Sequence, residues 1–136
     1  MIRAIVRDPV FLRQVSVPAG KNDTDVIKDL IDTYHAHQSV CAGMAANMIG
    51  VNKNIIIMNA GLMDLVMINP YIISHKDKYE VMEGCLSLSG KRKAVRYKEI
   101  TVRYENMNFE KEERTFTGYP AEIIQHELDH LHGILI

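Results

Sequence analysis

The segment QHELDHLHG, residues 125 to 133, constrains the fold of this chain more than any other stretch of it. Two histidines four residues apart, with a glutamate directly after the first, fit a helix. Residues four apart on a helix are separated by about 40° around the axis and about 6 Å along it. His126 and His130 therefore share one face and can aim both imidazoles at a single ion. Glu127 lies about 100° further round, close enough to hydrogen-bond a water at that ion without being a ligand. That arrangement is what chemistry needs when a metal lowers the pKa of water and a carboxylate takes the proton. The plainer alternative is a helix that carries these three side chains for unrelated reasons.

The pattern around this helix predicts an α+β fold, with mostly antiparallel strands packed around the C-terminal helix and one further N-terminal helix. The last helix is expected from Pro120, a good first-turn residue, to about Leu131, with Gly133 just past its end. A first helix is expected from about Thr24 to His37, capped by Asp23 or Thr24, because Val26, Ile27, Leu30, Ile31 and Tyr34 recur at helical spacing. NIIIMN (54–59) and LVMIN (65–69) read as buried strands separated by a turn beginning at Ala60-Gly61. Pro70 then restricts the chain, and Tyr71 to Ser74 forms a separate short strand. Glu80 to Met82, Ala94 to Tyr104 and Glu112 to Thr117 are further strand candidates. The opening DPVFLRQVSVPAG suits an extended arm, and AGMAANMIG has small residues that allow close backbone packing.

With 136 residues, no repeats and no linker-like segment, the chain is read as one domain, 1–136. A net charge of −1 offers nucleic acid or an anionic membrane no electrostatic attraction. No apolar run approaches the roughly 20 residues of a membrane span. Charges begin at the third residue, so the N-terminus does not read as a secretion signal, and a cytoplasmic protein is expected. In that reducing setting Cys41 and Cys85 are not expected to pair, and Cys41 is read as a buried structural thiol.

A hydrolytic metal site needs a third protein ligand and an open position. His132 is two residues past His130, on the wrong side of the helix, and reads as solvated or capping. The third ligand must come from upstream, and EGCLS (83–87) offers Cys85, whose thiolate binds zinc or ferrous iron well. By its residues alone Cys85 reads first as an unliganded buried thiol.

EGCLS followed about forty residues later by QHELDH resembles the signature pair of peptide deformylases. RDPVFLRQVSVP, GMAANMIG, MINPYI, VRYKEITVRY and YPAEIIQHELDHLHGILI extend the resemblance over nearly the whole chain. It implies one divalent metal ion on Cys85, His126 and His130, with Fe(2+) usual in the cell and Zn(2+) or Ni(2+) able to replace it. Glu127 is implied as general acid/base in removing formate from N-formyl-methionine of a nascent peptide. The developing oxyanion would be held by the metal, the Leu86 N–H and a glutamine amide. Gly43 would contact the peptide backbone, and Ile123 would line the methionine pocket. Asp129 is implied as a carboxylate that fixes helix and ligand geometry, with Arg96 as its partner. The implied partners are the formylated nascent peptide and the ribosome.

This chain departs from the family pattern at one chemically important place. Aligning Gly43, Ala45, Ala46 and Gly50 puts Met48 where the oxyanion-donating glutamine belongs, and a thioether has no N–H. Asn47 is adjacent, but a shift of one residue normally points a side chain elsewhere. Cys41 replaces a glycine, and Ser89 a proline. An active deformylase is therefore weighed against a deformylase-like metal- and peptide-binding protein with weak or no turnover. HExxH alone would also suit a metallopeptidase of another class, indifferent to Cys85.

Overall fold

The computed structural model describes residues 1–136 and is α+β, as the sequence pattern predicts. Five antiparallel strands lie in the order β1-β2-β3-β4-β5: Gly43–Ala45, Ile55–Asn59, Asp64–Gly84, Lys91–Glu105 and Lys111–Thr117. Helix α2 (Thr24–Ala36) and helix α3 (Gly118–Leu131) pack on this sheet. Ile27, Leu30 and Tyr34 of α2 and Ile124, Leu128 and Leu131 of α3 meet Ile55 to Met58 and Met67-Ile68 in one apolar core. Burying each such side chain stabilises the fold by about 1.5–3 kcal/mol before chain entropy is counted.

The largest difference from the sequence reading lies in β3. Residues 65–69, 71–74 and 80–82, expected as separate strands, belong to one strand of 21 residues. Pro70 does not end it. Asn69 takes a positive φ of 52°, and the pairing with β4 slips by one residue between Ile68 and Tyr71 and again between Ile72 and Ser74. Each slip inserts one extra β3 residue, which bends the strand and lets the ladder resume. A proline has no N–H to give the ladder, so a bulge is where a long strand tolerates it. The Asn69 amide secures the bend by donating to Ala19 O at 2.9 Å and Glu105 Oε2 at 2.7 Å.

The arm near the N-terminus also differs, because Pro9–Leu12 makes one helical turn, α1. The Asp8 side chain accepts from the Val10 N–H at 3.0 Å, and Pro9 sits where an N–H would be unused anyway. Helix α2 starts at Thr24 as expected and ends at Ala36, one residue early. The Asp23 carboxylate does not cap it; that side chain turns back to accept from the Gly20 N–H at 2.9 Å. AGMAANMIG divides into strand β1 and a 3₁₀ turn, Ala46–Ile49, closed by Gly50 at φ 90°.

Two features hold α3 in place. It begins at Gly118, so Pro120 falls within the first turn, where backbone N–H groups have no helical partner. At its other end Gly133 has φ 74°, and a Cβ there would lie 2.2 Å from Arg13 O. Only glycine lets the arm cross this helix end, where the Ser16 N–H donates to Leu131 O at 2.8 Å.

Candidate active site

His126 and His130 project from one face of α3 into the interior, their rings 4.9 Å apart between centroids. Their Nε2 atoms are 3.1 Å apart. Cys85 is the first residue after β3, in the loop that turns the β3–β4 hairpin, and its Sγ lies 3.2 Å from His130 Nε2. All three donor atoms fall within 4.8 Å of one another. Bond lengths of about 2.0–2.1 Å to nitrogen and 2.3 Å to sulfur place neighbouring ligands of a tetrahedral ion roughly 3.3–3.6 Å apart. The Cys85–His130 and His126–His130 separations are slightly shorter than those of neighbouring ligands on one ion.

The charges around the group suit a cation. Burial works against protonating His126, yet Cys85, Glu83 and Glu127 raise its pKa to about 10. Burial, with repulsion from His126 and Arg96, lowers His130 to about 3. One positive charge is thus favoured at His126, and a second is resisted at His130. A divalent ion held by the three residues would bring its own charge and leave both imidazoles neutral, as ligands must be.

Glu127 completes the centre. Its carboxyl is buried, which pushes its pKa up to about 7, and its Oε1 has no hydrogen-bond partner in the protein. A buried polar atom without a partner is costly unless something else satisfies it. A water beside the ion would do so, and a carboxyl with a pKa near neutrality can both take and return a proton.

Behind the centre lies a network that the sequence reading found only in part. Arg96 Nη1 donates to Asp129 Oδ2 at 2.7 Å, the pairing expected from the resemblance. The same guanidinium also holds Glu83, from Nε to Oε2 at 3.0 Å and from Nη2 to Oε1 at 2.7 Å. Glu83 Oε1 in turn lies 2.8 Å from His126 Nδ1. Although burial opposes it, the bonds from His126 and Arg96 hold the Glu83 carboxyl down at about 2. A carboxylate there keeps the Nδ1 proton in place and leaves Nε2 free to bind. The signal for Glu83 was its position in a strand two residues before Cys85, but no local rule pairs it with a helix 43 residues later. Gln125 was also missed. Its amide accepts from Tyr97 N–H and donates to Tyr97 O, both at 2.8 Å, which fixes α3 against β4 next to His126.

A cavity of about 720 Å³ opens onto the centre, and Gly43, Met48, Leu86, Tyr119, Ile123 and Glu127 are among its walls. A Cβ on Gly43 would lie 2.7 Å from Ile123 Cγ2 and 3.1 Å from Glu127 Oε2, so any larger residue would crowd both side chains. Leu86 N–H has no backbone acceptor. The Met48 side chain is buried in the wall, and its sulfur accepts from the Ala45 N–H at 3.5 Å. The neighbouring Asn47 points away from the cavity and donates to His130 O at 2.9 Å. Cys41, expected to be buried, is half-buried in the cavity wall, where burial raises its pKa to about 11. His132 lies beyond the end of α3 and is exposed, as expected. No helix is long and apolar enough to cross a membrane.

Residues 2–136 match the family model of polypeptide deformylase. A peptide deformylase of Clostridium beijerinckii is 51% identical over 136 residues, covering 100% of both chains. The crystal structure of peptide deformylase from Thermotoga maritima superposes with a TM-score of 0.88 at 32% identity, over 99% of this chain and 95% of that one. A class I type b peptide deformylase from Acinetobacter baumannii with Met-Ala-Ser bound also gives 0.88, at 28% identity, over 99% and 97%.

Proposed function

This chain belongs to the polypeptide deformylase family, and from that premise we propose that it removes the formyl group from the N-formyl-methionine of nascent peptides. The family acts on N-formylated nascent peptides with a single metal ion. In our reading Cys85, His126 and His130 hold that ion, Fe(2+) in the cell, with Zn(2+) or Ni(2+) as substitutes. The observation that carries this reading is the convergence of one sulfur and two imidazole nitrogens beside the orphaned Glu127 Oε1.

When bound, the ion polarises the formyl oxygen and lowers the pKa of water. The rest of the chemistry falls to the chain. Glu127 takes a proton from the water that attacks the formyl carbon. It returns a proton to the amine nitrogen as the C–N bond breaks, leaving formate and a free α-amino group. Leu86 N–H donates to the oxygen on which negative charge develops. Glu83 holds the His126 ring by Nδ1, and Arg96 ties Glu83 to Asp129 so that the hairpin and α3 keep one geometry. Gly43, at the sheet edge, contacts the peptide backbone, and Ile123 lines the slot for the methionine side chain.

Met48 favours a second reading, a metal- and peptide-binding relative with weak or no turnover. It occupies the place of an amide donor, and Asn47 is committed to His130 O. Losing one oxyanion donor typically costs about 10²–10³ in turnover. Formate release from a formyl-Met peptide by metal-loaded protein kept from oxygen separates the two. Release that disappears with Glu127→Ala supports the enzyme. No release, with peptide binding intact, supports the second reading.

A further inference from the structure

The loop that carries Cys85 and Leu86 receives a contact from far away in sequence. Arg7, on the arm before α1, donates from Nη1 to Leu86 O at 2.9 Å. The peptide unit that accepts this bond runs from the Leu86 carbonyl to the Ser87 nitrogen. The Ser87 N–H donates to Cys85 Sγ at 3.4 Å. A guanidinium, one amide and a sulfur are therefore joined in series.

We propose that Arg7 is a positioning residue whose charge reaches the Cys85 sulfur through the Leu86–Ser87 amide. A cation on the carbonyl oxygen draws electron density toward that oxygen and makes the N–H at the other end of the same unit a stronger donor. Such chains strengthen each bond by about 10–30% in condensed phase. A stronger N–H bond takes charge from the thiolate, so the sulfur donates less to its ion. The same contact holds the Leu86 backbone, whose N–H is the proposed oxyanion donor. Arg7 itself is exposed and lines the mouth of the cavity, so it can be changed without opening the core. The inference rests on the ligand set proposed above but not on turnover.

The test uses the full chain loaded with Co(II), whose sulfur-to-cobalt charge-transfer band reports how strongly the thiolate donates. The wild type is compared with Arg7→Lys, Arg7→Gln and Arg7→Met, and the thermal midpoint of each metal-free variant checks its fold. Arg7→Met and Arg7→Gln should move the band to longer wavelength, while Arg7→Lys, which keeps the charge, should stay near the wild type. A band that stays at the wild-type position in Arg7→Met overturns the proposal, as does full recovery with the uncharged Arg7→Gln. If Arg7→Met does not fold, Arg7→Gln decides. A wild-type protein with no such band overturns it together with the ligand set. A shifted band in protein that releases no formate upholds it while counting against the proposed reaction.

Discussion

Glu83 Oε1 lies 2.7 Å from Arg96 Nη2 and is the same oxygen that lies 2.8 Å from His126 Nδ1. One carboxylate therefore neutralises a buried guanidinium and orients an imidazole of the centre. Replacing it should damage both. Glu83→Gln keeps the shape but removes one of the two charge partners of Arg96, which is 4% exposed. Breaking a buried pair typically costs about 3–5 kcal/mol, so chemical denaturation should show a loss near the lower end, with Asp129 as remaining partner. Metal affinity, read by chelator competition, should fall about 10- to 100-fold.

Met48→Gln should raise kcat. The side chain already borders the cavity, so the substitution brings an amide to the wall without enlarging the residue much. If a donor is restored, formate release should rise by about 10²-fold, at the low end for an oxyanion donor. Loss of the Met48 packing should lower the thermal midpoint slightly. An unchanged rate would show that the wall at Met48 does not face the developing charge.

Gly133→Ala should be destabilising out of proportion to one methyl group. The positive φ disfavours any Cβ, and the obstruction is Arg13 backbone, which has no rotamer to move into. A loss of at least about 2 kcal/mol is expected by denaturant titration, from overpacking together with the left-handed strain. Gly20→Ala, with open space around it, is the control and should change little.

Cys41 should be a poor nucleophile. With its pKa near 11, only about one thiol in a thousand is ionised at pH 8, so iodoacetamide should label it slowly even though it borders the cavity. The sign for stability follows. The folded state holds this proton more tightly than the unfolded chain, so its contribution is complete below the unfolded value of about 9 and is lost as pH rises toward about 11. Labelling of Cys41 at the rate of a free thiol would contradict this.

How much of the fold could be read in the sequence depended on how local each signal was. Helix α3 and the shared face of His126 and His130 follow from spacing within one segment. So does the burial of residues 55–58, from an unbroken apolar run. Glu83 could not be placed in this way, because its partners sit on β4 and α3 and meet it only after the hairpin closes. The single long β3 was hidden by Pro70, which punctuates a sequence but is absorbed here by the bulge at Asn69. The arm looked extended because its prolines obscure the one turn that Asp8 caps. Arg7 had no signal at all, since its target is a backbone carbonyl 79 residues away.

X-ray absorption at the edge of the bound metal, in protein loaded without oxygen, decides whether Cys85, His126 and His130 share one ion. For zinc, one sulfur neighbour at about 2.3 Å and imidazole nitrogens at about 2.0–2.1 Å are expected, with the sulfur lost in Cys85→Ser. A coordination shell of nitrogen and oxygen alone in the unmodified protein would contradict that expectation.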